Sequence, residues 1–244
     1  MVVQLKPTQP TIAWEPLPQS FVLPDDPVEN IQQPALAAAL TDALGANGQI
    51  QPAMLIGSNF GLVATVNQKI VVKAPDWFYV PHVHPIAENW IRRSYTSHLE
   101  GSPVAVVMEF LSDEDYGELS IRATPPYGKF YFYEQILQVP TYVTYDPYTP
   151  GMSVWHLQAG SYELQNADEQ GRIWIPELEL FLGIWAGQRL QQTTHWLRWW
   201  DRQGNLLLWS AEQTAQERQR AEEERQRADR LAAKLRELGV DPEA

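Results

Sequence analysis

The sequence of this 244-residue chain predicts an α/β fold, with a mixed central β-sheet flanked by helices and a long C-terminal helix. The order strand, helix, strand between residues 104 and 146 is typical of a βαβ unit, in which a right-handed crossover joins two parallel strands. The run from Val104 to Met108 is apolar at every position, which favours a strand buried on both faces. From Ala211 to Leu238 the chain lacks glycine and proline and is rich in Glu, Arg, Gln and Ala, which favours a long helix.

Patterning and turn residues predict the other elements in chain order. They are a helix at 34–45, two short strands within 53–66, a strand at 69–81 running into Pro75-Asp76, a buried strand at 103–112, a helix at 127–139, a strand at 141–147 and a hairpin at 152–165. The first helix has Pro34 in its first turn, and Gly45 is expected as its C-terminal cap. The stretch 173–209 is dense in tryptophan, which fits core packing or a partner surface.

The chain is expected to divide into three parts. Residues 1–33 are proline-rich and predict an N-terminal arm, residues 34–209 form the α/β domain, and residues 210–244 form a charged C-terminal helix. In that helix Ala221, Ala228 and Leu235 fall seven residues apart, which is a weak heptad pattern. A homodimeric coiled coil and a long solvated helix both fit this pattern.

Composition bounds the class of protein. Hydrophobic residues make up 44% and charged residues 20%, as in ordinary globular proteins. The absence of cysteine excludes disulfides and cysteine zinc sites, and it fits a cytoplasmic location. No signal peptide and no transmembrane helix are expected. The net charge of -12 argues against a simple nucleic-acid reader, but a nuclease whose cations offset the charge of the site and the phosphate partly escapes that rule.

Glu109 is the most informative residue for function. It stands in the sequence VAVVMEFLS, and an ionised carboxylate among buried aliphatic side chains costs several kcal/mol unless it is paired or binds a metal. One interpretation is that Glu109 lies in solvent or pairs with an arginine such as Arg92 or Arg93. The other interpretation is a functional carboxylate at the end of a buried strand.

Asp76 and Lys129 complete the candidate constellation. Pro75-Asp76 alone fits a turn, but if its strand neighbours the strand of Glu109, both carboxylates can share one cation. Mg²⁺ prefers hard oxygen ligands and is typically held by one or two carboxylates together with water and substrate phosphate. Lys129 begins the helix at 127–139, either as a solvated lysine or as a side chain that reaches the metal site.

These motifs, in this order, resemble a Uma-type family of restriction endonucleases abundant in cyanobacteria, within the PD-(D/E)XK nuclease superfamily. The matching residues are Pro75-Asp76, Glu109-Phe110-Leu111-Ser112, Lys129-Phe130 with Tyr133, and Tyr145-Asp146-Pro147, and the run from Gln188 onward also looks similar to the cyanobacterial branch. The resemblance implies a restriction-endonuclease-like core and hydrolysis of phosphodiester bonds in DNA with Mg²⁺ or Mn²⁺. It implies that Asp76 and Glu109 bind the cation and that Lys129 stands in for the motif lysine.

The sequence departs from the superfamily at two points. The usual lysine two residues after the glutamate is replaced here by Leu111. Many members also carry an acidic residue on the first helix, where this chain offers Asp42, with Glu29 just before the helix as a candidate third metal ligand. His82 and His84 could ligate a transition metal if a third ligand joined them, but flanking prolines favour an extended surface loop.

Two functions of different classes follow. The first is a Mg²⁺-dependent endonuclease in which Asp76, Glu109 and Lys129 are catalytic. The second is a catalytically inactive protein of the same fold that binds a partner or a second copy through its tryptophan-rich segment and C-terminal helix. The net charge of -12 and Leu111 favour the second, and the buried-strand glutamate favours the first.

Overall fold

A computed structural model describes residues 10–23, 30–111 and 116–238 of the chain. The strands are β1 (Ile12–Ala13), β2 (Leu55–Gly57), β3 (Gly61–Val66), β4 (Lys69–Lys73), β5 (Trp77–Val80), β6 (Ser94–Thr96), β7 (Val106–Phe110), β8 (Thr141–Asp146), β9 (Gly151–Gln158), β10 (Ser161–Leu164), β11 (Arg172–Ile175), β12 (Leu180–Arg189) and β13 (Gln192–Trp200). The helices are α1 (Gln32–Ala46), α2 (Lys129–Tyr131) and α3 (Ser210–Glu237), with a 3-10 helix at Tyr116–Leu119 and a π-helical turn at Phe132–Ile136. Within these described ranges, no helix has the length and apolar character needed to cross a membrane.

A six-stranded mixed sheet forms the centre of the fold, in the order β10-β9-β8-β7-β5-β2. Its neighbours β7 and β8 run parallel, and the other strands pair antiparallel. The helical segment that contains α2 connects β7 to β8. The predicted α/β class, the parallel strand pair and the hairpin of β9 and β10 are therefore confirmed.

Side-chain alternation along β7 sends its residues to two different cores. Met108 packs with α1 and with the three-stranded sheet β11-β12-β13. Val107 packs on the opposite face with the segment after α2 and with β3. All five residues of β7 are buried, which confirms the predicted two-sided burial. Because side chains alternate along a strand, Glu109 lies on the same face as Val107.

The predicted single strand at 69–81 is wrong, because the chain forms two strands there in different sheets. β4 pairs with β3 in a four-stranded sheet, whereas β5 pairs with β7 and β2 in the central sheet. The break falls at Ala74-Pro75, where proline has no N–H to continue a ladder of hydrogen bonds. Asp76 therefore precedes a strand rather than ending one.

The helix ends differ from the predicted ones in two places. α1 continues past Gly45 to Ala46, and Gly48 adopts the left-handed conformation just beyond it, so Gly48 and not Gly45 ends this segment. The predicted helix at 127–139 is helical only over Lys129 to Ile136. It is delayed at its start because Gly128 is extended, and Gln138 has a φ of 51°, which interrupts the helix before Pro140.

The two ends of the described chain pack differently on the domain. At the N-terminal end, β1 pairs with β3 and so lies against the four-stranded sheet. At the C-terminal end, Trp196, Trp199 and Trp209 are buried in the core, as the core-packing interpretation expects. α3 confirms the predicted long helix, but none of its described residues is buried, and Leu231 and Leu238 on the heptad seam are exposed.

Candidate active site

The antiparallel pairing of β5 with β7 brings the two candidate carboxylates together. Trp77 lies opposite Met108, and the same register continued by one residue places Asp76 opposite Glu109. Asp76 Oδ2 accepts a hydrogen bond of 2.6 Å from the backbone N–H of Phe110. The expected proximity of Asp76 and Glu109 at one end of the central sheet is therefore present, although β5 reaches it from the opposite direction to the predicted strand.

Glu109 is buried and fully engaged by two side chains of the helical segment. Its Oε1 accepts a 2.7 Å hydrogen bond from the hydroxyl of Tyr133, and its Oε2 lies 3.1 Å from the ammonium of Lys129. Only 1% of Glu109 is exposed. A carboxylate buried to this extent is tolerated because it is paired and hydrogen-bonded, as desolvation requires.

The interpretation that Glu109 pairs with an arginine is wrong. The guanidinium of Arg92 pairs with Glu100. Arg93 donates to the backbone carbonyls of Gln19 and Phe21, each at 3.1 Å. Both arginines therefore serve the loop between β5 and β7 and the N-terminal segment.

Lys129 begins α2, as expected, and a close backbone contact fixes its position. A Cβ built on Gly128 would lie 2.0 Å from the carbonyl oxygen of Ser120, so only glycine allows these two segments to approach. The approach brings α2 beside the 3-10 helix at Tyr116–Leu119. It also directs the ammonium of Lys129 to two carboxylates, Glu109 at 3.1 Å and Glu118 at 3.2 Å.

Glu118 is a member of this cluster that the sequence analysis missed. It lies on the 3-10 helix, is 6% exposed, and contacts Lys129 through Oε1, while its buried Oε2 has no hydrogen-bond partner among the described residues. An acidic residue in an irregular, polar stretch is normally solvated, so nothing in the local sequence signals burial here. Only the contact between this stretch and α2 reveals it.

Burial and mutual repulsion shape the protonation of the cluster. Burial, followed by the Glu109 charge, raises the pKa of Asp76 to about 8. Burial also raises the pKa of Glu109, against the opposing influence of Lys129 and Tyr133. Burial alone would lower the pKa of Lys129, but Glu109 and Glu118 outweigh it and hold the pKa above its usual value. Three carboxylates with a single ammonium leave an excess of negative charge.

The raised pKa of Asp76 predicts an unusual pH dependence of stability without divalent cations. The folded state keeps a proton on Asp76 up to about pH 8, whereas the unfolded chain releases it near pH 4, so the contribution of this group falls as pH rises between these values. An Asp76→Asn variant keeps an acceptor for Phe110 and is expected to lose that dependence. Urea unfolding in a chelator at pH 5, 6.5 and 8 should show the variant gaining up to roughly 1 kcal/mol per pH unit over wild type. Parallel curves for both proteins would refute this.

The chemistry of these side chains fits a hard divalent cation. Carboxylate oxygens are the ligands that Mg²⁺ prefers, the cluster carries excess negative charge, and Glu118 offers a buried oxygen without a partner. Among the residues that the structure describes, no three Asp, Glu or His side chains converge closely enough to enclose a metal ion. Asp76 and Glu109 would therefore hold Mg²⁺ or Mn²⁺ with water and substrate oxygens completing its shell.

The other candidate ligands do not join this cluster. Glu29 lies outside the described residues. Asp42 on α1 pairs with Arg189 at 3.3 Å. His82 and His84 are exposed, with ring centroids 6.3 Å apart, and within the described part of the chain no further ligand joins them.

Comparison with known proteins gives one family match. The profile of the Uma2 family, described as "Putative restriction endonuclease", matches residues 24–191, which is more than half of the chain. The matched range includes Asp76, Glu109, Glu118 and Lys129. A search of curated proteins found no match.

Proposed function

Because the chain belongs to the Uma2 family of restriction-endonuclease-like proteins, we propose that it is an endonuclease that hydrolyses phosphodiester bonds of DNA with Mg²⁺ or Mn²⁺. The observation that carries this proposal is the meeting of Asp76, Glu109 and Lys129 at one end of the central sheet. These residues come from two strands and a helix that are far apart in sequence. A purely structural ion pair would not require a second buried carboxylate beside it.

Asp76 and Glu109 bind the cation in this proposal. When bound, the cation polarises the scissile phosphate and lowers the pKa of a coordinated water, which then attacks phosphorus. The hydrogen bond from the Phe110 N–H fixes one oxygen of Asp76, and the hydroxyl of Tyr133 fixes one oxygen of Glu109. The second shell thus orients both ligands before substrate arrives.

Lys129 supplies the positive charge that the superfamily usually places two residues after the glutamate. Leu111 occupies that position here, and the ammonium arrives instead from the start of α2. The Lys129 side chain is 29% exposed, whereas that of Glu109 is 1% exposed, so Lys129 is the member of this pair that opens toward solvent and substrate. From there it orients the attacking water or offsets the charge that develops on the phosphate oxygens.

Cleavage of a panel of nucleic acids tests the proposal. Wild-type protein is expected to cut DNA in Mg²⁺ or Mn²⁺ and to be inactive in chelator, and Asp76→Asn is expected to lower the rate at least 100-fold, because it removes one ligand charge. Supercoiled plasmid, linear duplex, single-stranded DNA and RNA should be compared on gels. Asp42→Asn is the matched control, since Asp42 lies outside the cluster, and it should cut like wild type. Equal cleavage by Asp76→Asn and wild type would refute the assignment.

A role in assembly is the second candidate function. α3 spans Ser210–Glu237, none of its described residues is buried, and Leu231 and Leu235 on its heptad seam are exposed. A homodimer through this helix would cover those leucines and would suit an enzyme that cuts two strands. Light scattering on the full chain and on Leu231→Glu/Leu235→Glu decides this point, because an identical monomeric mass for both removes α3 as an assembly element.

A further inference from the structure

The ammonium of Lys129 lies where a cation would bridge two carboxylates. It is 3.1 Å from Glu109 Oε2 and 3.2 Å from Glu118 Oε1, and these carboxylates come from β7 and from the 3-10 helix. The side chains of Glu109 and Glu118 are 1% and 8% exposed. An ammonium held by two buried carboxylates satisfies the same electrostatic demand as a metal ion at that place.

Glu118 is held rigidly in this position, but only half of its carboxylate is used. Its backbone carbonyl accepts a 2.8 Å hydrogen bond from the hydroxyl of Tyr142, and the N–H of Tyr131 donates to Ser120 two residues later. Its Oε2 is buried without a partner among the described residues. A buried carboxylate oxygen without a donor costs free energy, so a ligand that reaches this oxygen regains it.

We propose that Lys129 is an internal stand-in for a divalent cation, and that Glu118 becomes the third carboxylate ligand when the cation displaces the Lys129 ammonium. This inference rests on the proposed function, because Asp76 and Glu109 are the other two ligands. It also explains why three carboxylates do not converge on one point in the arrangement described, since the ammonium stands between Glu109 and Glu118.

Exposure decides which side chain moves. Lys129 is 29% exposed at its side chain and has a long flexible stem, whereas both carboxylates are buried and hydrogen-bonded into the domain. A divalent cation repels the ammonium, so the lysine turns outward while Glu109 and Glu118 remain. The released ammonium then lies at the open side of the site, where it can meet a phosphate. Cation loading and release of the lysine are coupled in this way.

The proposal predicts opposite effects for two substitutions on Mn²⁺ affinity. Glu118→Gln removes a ligand charge at constant shape and is expected to weaken Mn²⁺ binding at least tenfold. Lys129→Met removes the competing ammonium at similar length, so it is expected to bind Mn²⁺ at least as tightly as wild type. Titration of Mn²⁺ followed by electron paramagnetic resonance, which counts the free ion, measures both affinities without any substrate. Urea unfolding verifies that each variant is folded.

Two controls separate this inference from the proposed function. Glu134→Gln changes a nearby carboxylate that contacts Tyr162 and Gln135 outside the cluster, and it should leave Mn²⁺ affinity unchanged. Asp76→Asn should weaken binding in either case. Loss of affinity in Asp76→Asn with wild-type affinity in Glu118→Gln, or weaker binding by Lys129→Met, would overturn this inference alone. Absence of Mn²⁺ binding by the wild type would overturn both this inference and the proposed metal site.

Discussion

Replacing Glu109 by glutamine is expected to lower metal-dependent DNA cleavage at least a thousandfold, which is roughly 4 kcal/mol of lost transition-state stabilisation. Glu109 is the carboxylate at which the cation, Lys129 and Tyr133 meet, so its charge affects both metal binding and the position of the lysine. Glutamine keeps the shape and an acceptor for the Tyr133 hydroxyl. Cleavage rates on the DNA substrate that the wild type cuts measure the loss.

The fold should survive this substitution. Lys129 retains Glu118 as a partner at 3.2 Å, and removal of a buried charge relieves part of its desolvation cost. The urea midpoint of Glu109→Gln is therefore expected to stay close to that of wild type, so that lost cleavage reports on chemistry and not on unfolding. Glu134→Gln serves as the matched control and should cleave normally. A folded Glu109→Gln protein that cuts within tenfold of the wild-type rate would contradict the assigned role.

Replacing Glu212 by alanine is expected to destabilise the domain by about 3 kcal/mol, because it leaves a buried arginine without its counter-ion. Arg198 on β13 is 0% exposed, donates to Glu212 at 3.1 and 2.7 Å, and lies over the ring of Trp209 with its guanidinium carbon 3.4 Å from the ring centroid. Glu212 Oε2 also accepts a 2.8 Å hydrogen bond from the N–H of Trp209 and so caps α3. Urea unfolding followed by tryptophan fluorescence measures the loss.

The control for this prediction is Glu217→Ala, one turn and a half further along α3. Glu217 is exposed, and surface substitutions of this kind stay within about 0.5 kcal/mol. Glu212→Gln keeps hydrogen-bonding capacity without the charge and should fall between the two. Equal unfolding midpoints for Glu212→Ala and Glu217→Ala would show that the Arg198 pair contributes nothing to the attachment of α3.

The core of the candidate site could be predicted because its signals are local. A glutamate inside an apolar run is costly wherever the run folds, so Glu109 stands out in the sequence itself. Pro75-Asp76 and the lysine at the start of a helix add weaker signals that gain meaning by their order along the chain. The parallel pair β7 and β8 is likewise readable, because a strand, a helical segment and a strand follow one another without interruption.

The rest depends on long-range contacts that the sequence does not display. The stretch 69–81 has the composition of one strand, and only pairing partners reveal that β4 and β5 belong to different sheets. Glu118 becomes buried because Gly128 lets α2 approach Ser120, which is a contact between two irregular segments. Local propensity carries no information about such packing, and it therefore could not identify the second partner of Lys129.

The measurement that tests the central claim most directly is a calorimetric titration of Mn²⁺ into the wild-type protein and into an Asp76→Asn/Glu109→Gln double variant. The probe needs no substrate, and both substitutions preserve side-chain shape and hydrogen-bond acceptors for Phe110 and Tyr133. We predict saturable Mn²⁺ binding by the wild type that is lost in the folded double variant. Identical titrations of the two proteins would contradict the claim that these carboxylates form a metal site, and would favour the non-catalytic assembly role.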